Sequence, residues 1–188
     1  MLKRIEEFAT CVEITGFKNA KIRDSQKFLE QINKEKPKGV ETQFFDARLV
    51  ATWRHLYSAV LDALTAFANK ENISKSLGME ALLYASAEGQ ISRATERMGI
   101  KQGMSDLAVL IIGKEPNQIQ MALSAISRIV GGRLDEKVLE LSKSKKEMLQ
   151  VSFNIRETEL EASAQDGDMD KAFVDAIIER MALLVTER

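Results

Sequence analysis

Three cations recur at every fourth residue, Arg93, Arg97 and Lys101, a spacing that sets them near one face of a helix. Gln90, Ile91, Met98, Ile100 and the aromatic Tyr84 stand close to them in sequence. Cations against phosphates, with apolar or aromatic groups against unstacked bases, is the mixture that holds single-stranded RNA. The plainer reading is the solvated face of a short helix, its charge partly offset by Glu96. Residue types alone leave both readings open.

Other chemistry finds little support. The chain has one histidine, His55, and one cysteine, Cys11, so a zinc site would need carboxylates for nearly every ligand. With Trp53 and Arg54 before it at a helix start, His55 reads as a half-buried or capping side chain, since no nucleophile lies locally beside it. Asp166, Asp168 and Asp170 imitate the opening of a calcium loop, but Lys171 stands where glycine is needed and Ile177 where a bidentate glutamate is needed; they read as helix-start charges. Gly131-Gly132-Arg133 follows a helical pattern and suits a C-cap, and no phosphate-cradling glycine motif occurs. No catalytic group, no metal ligand set and no cofactor are expected.

The elements that must position the basic row are legible from periodicity. An apolar run from Ala81 to Ala85 stops at Ser86-Ala87-Glu88-Gly89, and a second amphipathic segment runs from Gln90 to Gly99, predicting two short helices meeting at a corner. Strands are predicted at Cys11 to Lys18, within Val40 to Val50 around Gln43 to Leu49, and at Leu107 to Ile112, the last buried on both faces. Helices are predicted from Asp24-Ser25 to Pro37, from Thr52 to Lys70, and from Pro116 to Gly131-Gly132, with a weaker one over Leu134 to Leu149 that leaves Lys143, Lys145 and Lys146 near a break or in solvent. The final helix, Met169 to about Thr186, carries two apolar rows: Phe173, Ile177, Met181 and Leu184, and beside them Val174, Ile178 and Val185. So wide a face either sits in the core or offers one row to a partner.

These elements predict an α+β fold: a small mixed β-sheet of about three strands or more packed with several α-helices. A chain of 188 residues, 45% hydrophobic, fits a single domain over 1–188, with a core over about 10–150 and a C-terminal helical element over about 151–188. The 27 basic and 28 acidic side chains nearly cancel, so nucleic acid would have to be held by a local patch. A single cysteine suits a reducing cytoplasm, and no apolar run approaches a membrane span.

The segment LLYASAEGQISRATERMGI resembles the signature of the small KEOPS-complex subunit of the PRPK-binding protein (TPRKB) family. Its elements here are Leu82-Leu83-Tyr84, Ala87-Glu88-Gly89, Gln90-Ile91-Ser92 and Gly99-Ile100. The order of strands and helices agrees over roughly residues 10 to 150, and the near-neutral charge and absence of a eukaryotic-type tail suit an archaeal member. The resemblance implies a non-enzymatic subunit that binds the complex's small atypical kinase/ATPase and the single-stranded CCA end of tRNA, supporting threonylcarbamoyladenosine formation. It sharpens the candidate residues: Gln90, Ile91, Arg93, Arg97 and Lys101 for RNA, and exposed apolar residues of the last helix, Val174 and Ile178, for the kinase. A homodimer through that helix, when the chain is isolated, is a further expectation. The alternative from another class is a regulatory α+β domain that binds a small molecule.

Overall fold

The computed structural model describes residues 1–186, the side chains of residues 165, 185 and 186 excepted; the expectation for Val185 therefore lies outside the described residues. Strands β1 (Leu2–Ile5), β2 (Thr10–Lys18), β3 (Glu41–Asp46), β4 (Leu107–Gly113) and β5 (Arg133–Leu134) form one sheet in the order β1-β2-β4-β3, with β5 pairing the far end of β2. Every pairing is antiparallel. The α+β class is as expected, but the sheet is antiparallel rather than mixed, because no two neighbouring strands are joined by a crossover that restores direction.

β4 is buried at every position, as its unbroken apolar run requires. Alternation along it decides which core each residue joins. Leu107, Val109 and Ile111 pack with Cys11, Phe17 and Phe44 under α1 (Ser25–Glu35) and α5 (Pro116–Val130). Ala108, Leu110 and Ile112 pack with Val12, Ile14 and Phe45 under the remaining helices. These are α2 (Trp53–Asn69), α3 (Leu77–Ser86), α4 (Ile91–Met98), α6 (Lys143–Phe153), α7 (Glu157–Ser163) and α8 (Met169–Thr186).

Caps set the ends where the sequence suggested them. The Asp24 carboxylate accepts from Lys27 N at 3.0 Å to open α1, Pro116 occupies the first turn of α5, and Gly131 closes that helix at φ 64°. Three expectations need correction. The Val40 to Val50 run is a strand only to Asp46 and then a 3₁₀ turn, Ala47–Leu49, because the Asp46 side chain captures Arg48 N and breaks the ladder. Leu134 to Leu149 is not one helix: β5 and a 3₁₀ turn, Glu136–Leu139, precede α6, which begins only after its Ser142 cap. Lys143, Lys145 and Lys146 do follow a break, in the first turn of α6, but Lys145 is buried rather than solvated.

The last helix is a core element. Phe173, Ile177, Met181 and Leu184 are buried, and so is Val174, at 4% exposure. At roughly 1.5–3 kcal/mol for each large apolar side chain removed from water, this row fixes α8 across α2 and α3. Val174 is therefore not the exposed residue the sequence suggested, while Ile178 is partly buried against the same core. α8 is pinned to α7 by Arg180, whose Nη2 donates to both Glu159 oxygens at 2.8 Å.

Candidate functional site

The corner between α3 and α4 is built from backbone groups that a helix end leaves unpaired. Ala87 turns the chain at φ 52°, where glycine is the usual residue. Its N–H reaches Tyr84 O at 2.8 Å, and Glu88 N reaches Leu83 O at 3.1 Å. Gly89, three residues into the turn, is not the left-handed residue. An alanine held there costs on the order of 1 kcal/mol, so the contacts around it must over-determine the turn.

Two side chains supply them. His55, the third residue of α2, is fully buried rather than half-buried. Its Nδ1 accepts from Ala51 N at 3.2 Å, which leaves the proton on Nε2 to donate to Ala85 O at 2.8 Å. Burial, with Lys145 and Arg97 nearby, pushes its pKa down to about 4, so it is a neutral strut and not a base. Arg97 takes the next carbonyl: Nη1 donates to Ser86 O at 2.8 Å and to Glu88 Oε1 at 2.9 Å, and Nε donates to Ser152 Oγ at 3.0 Å. Its guanidinium lies 4.6 Å from the Phe153 ring centroid, and that ring also meets His55, edge on at 5.7 Å.

The basic row does not share one face as a unit. α4 ends at Met98, and Gly99 leaves it in extended backbone; a Cβ there would lie 2.5 Å from Thr95 O. Lys101 therefore sits past the helix. Arg97 turns inward, its side chain only 21% exposed, whereas Arg93, Lys101 and Gln90 remain exposed and Ile91 is 42% exposed. Of the five residues named for RNA, four line the outer surface and one braces it from beneath.

A second charged feature had no strong sequence signal. Asp46, buried at the end of β3, grips Arg48 through Nε–Oδ1 at 2.9 Å and Nη2–Oδ2 at 2.6 Å. This pair raises the arginine's pKa, while the Arg48 side chain stays 59% exposed. Three hollows share Arg48 in their walls: one of about 340 Å³ with Lys101 and Asp106, one of about 270 Å³ with Lys18 and Lys145, and a more apolar one of about 650 Å³ with Leu49, Met148 and Val151. Lys145 is spent on Val138 O at 2.7 Å and Glu140 O at 3.1 Å, and burial pushes its pKa down to about 8. An Asp-x-Arg spacing at a strand end was the only trace of this in sequence.

Among the described residues no cluster of His, Cys, Asp and Glu could hold a metal ion, and no helix is long and apolar enough to cross a membrane. Asp168 instead accepts from Lys171 N at 2.9 Å, and Asp170 pairs with Lys146.

An antiparallel sheet flanked by helices, with its polar corner committed to bracing backbone carbonyls, defines an α+β protein that presents surfaces. Residues 17–184 match the family model described as kinase binding protein CGI-121. The regulatory protein Cgi121 of Methanocaldococcus jannaschii, an archaeon, is 32% identical over 118 residues, covering 63% of this chain and 73% of that protein. The chain belongs to the CGI-121 family, the family its corner signature resembles; the match begins at residue 17, at the end of β2, rather than at residue 10, and runs past residue 150 to residue 184 in the last helix.

Proposed function

We propose that this protein is a non-catalytic, cytoplasmic subunit of the KEOPS complex, binding the complex's atypical kinase/ATPase and the single-stranded CCA end of tRNA in support of threonylcarbamoyladenosine modification. Family membership supports the kinase partner. The observation that carries the RNA part is the braced corner: Gln90, Ile91, Arg93 and Lys101 stand exposed along and just past α4, which follows a turn held by His55 and Arg97. Fixing the frame in advance lowers the ordering cost of binding. Arg97 contributes as the brace, its guanidinium already engaged by Glu88 and Ser86. On the kinase side, Val174 holds α8 in place from the core and Ile178 lies at the edge of the accessible face.

The test pairs two variants with two partners. R93E/K101E should lose most affinity for tRNA and keep the kinase, and I178E should do the reverse, with unfolding curves confirming that both fold. Equal binding of intact tRNA and of tRNA trimmed of its CCA end, or unchanged tRNA binding by R93E/K101E at moderate salt, overturns the RNA assignment.

A further inference from the structure

We infer that Arg48 anchors a phosphate-binding track for the RNA strand that leads into the CCA end, along the line Lys101, Arg48, Lys18; the inference rests on the RNA reading above. Three observations combine. The first is orientation. Asp46 is buried and holds the Nε and Nη2 edge of Arg48, whereas Nη1 makes no hydrogen bond among the described residues. A guanidinium fixed on one edge and open on the other is prepared to donate to an oxyanion without losing rotamer freedom at the moment of binding.

The second observation is continuity. The hollow holding Lys101, next to the corner, and the hollow holding Lys18, at the end of β2, have Arg48 in their common wall. Lys18 and Lys101 are exposed and make no ion pair among the described residues. Arg48 and Lys18 share one hollow with Lys137 and Lys145, and Lys101 lines a second hollow that also has Arg48 in its wall, so the cations reach past a single cavity, an arrangement that suits a chain of phosphodiesters better than a single free phosphate.

The third is the opposing charge. Asp135, paired with Arg133, and Glu140 stand in the wall of the Lys18 hollow. Asp106 lines both hollows, and its carboxylate accepts from Ser105 Oγ at 2.8 Å. On this track it repels phosphate, which gives the proposal a sign test: removing that charge must strengthen RNA binding.

The experiment uses the full chain and two synthetic RNAs ending in CCA, one of four nucleotides and one of twelve, with inorganic phosphate as a competitor. K18E and the paired variant D46N/R48A, which removes the arginine together with the buried charge it neutralises, should weaken the twelve-nucleotide RNA severalfold and leave the four-nucleotide RNA unchanged. For D46N/R48A the salt dependence of the longer RNA should fall by about 0.7 in logarithmic slope, the value for one lost phosphate contact on a single strand. D106N should bind the longer RNA more tightly than the natural chain. If the natural chain binds neither RNA, the RNA reading itself falls. If it binds both but K18E, D46N/R48A and D106N all leave the longer RNA unaffected, the track is wrong and the corner stands. Loss of the longer RNA's advantage in millimolar inorganic phosphate would reassign Arg48 to a free-phosphate site and also overturn the track.

Discussion

Arg97 and Arg48 are each paired with a carboxylate, at 2.9 Å and 2.6 Å, yet they do opposite work. At the corner both partners are largely covered, at 21% and 24% exposure, and the guanidinium's bonds run inward to Ser86, Glu88 and Ser152. At the 46–48 turn the carboxylate is the covered partner and the guanidinium faces outward. How far the guanidinium itself is covered, 21% exposed at Arg97 against 59% at Arg48, separates an arginine that braces the fold from one that is open to a ligand. The comparison can be broken or sharpened by removing the supports one at a time.

The largest effect is expected from Phe153, which touches both His55 and Arg97. Phe153→Ala should cost about 3–5 kcal/mol in urea unfolding, as buried aromatic truncations do; a loss under 1 kcal/mol would mean that α6 does not hold the corner.

Acid should act through the same assembly. The folded pKa of His55, about 4, lies below its ordinary 6.5, so on acidification the unfolded chain takes up the proton first. The stability this neutral strut contributes is therefore whole above about pH 6.5 and is lost as pH falls towards 4, on the order of 3 kcal/mol at about 1.4 kcal/mol per unit. Unfolding midpoints at pH 7.5 and 4.5 should differ strongly in the natural chain and much less in His55→Gln. An equal acid loss in both would assign the dependence to carboxylates.

The smallest effects separate the two arginines directly. Arg97→Ala should cost about 2 kcal/mol, since it strands a helix-end carbonyl and a charged partner. Arg48→Ala should cost roughly 1 kcal/mol by leaving Asp46 buried and unpaired, and adding Asp46→Asn should recover most of it. If Arg97→Ala proves as mild as an exposed substitution, within about 0.5 kcal/mol, the brace assignment fails.

Periodicity made the framework legible wherever one pattern dominated. The continuous run at Leu107–Gly113, the stripe through α2, the proline and glycine at the two ends of α5, and the corner between α3 and α4 all lie where their residues put them. Short or polar elements escaped it. β1 and β5 have four and two residues, too few to establish alternation, and α7 offers only Leu160 as a buried side chain. Four of the five corner residues proved accessible, but helical spacing could not tell that Arg97 turns inward, because its partners Ser86 and Ser152 lie eleven and fifty-five residues away.

The sequence by itself determined the α+β class and the residue types gathered at the corner, because those follow from local periodicity, capping and composition, and the family signature was legible there as a resemblance. Only the tertiary structure decided that Val174 belongs to the core, that His55 and Arg97 are spent on the carbonyls ending α3, and that Arg48 faces outward from a buried Asp46. Burial and pairing are properties of what packs across a residue. Those neighbours come from distant parts of the chain, where spacing carries no information.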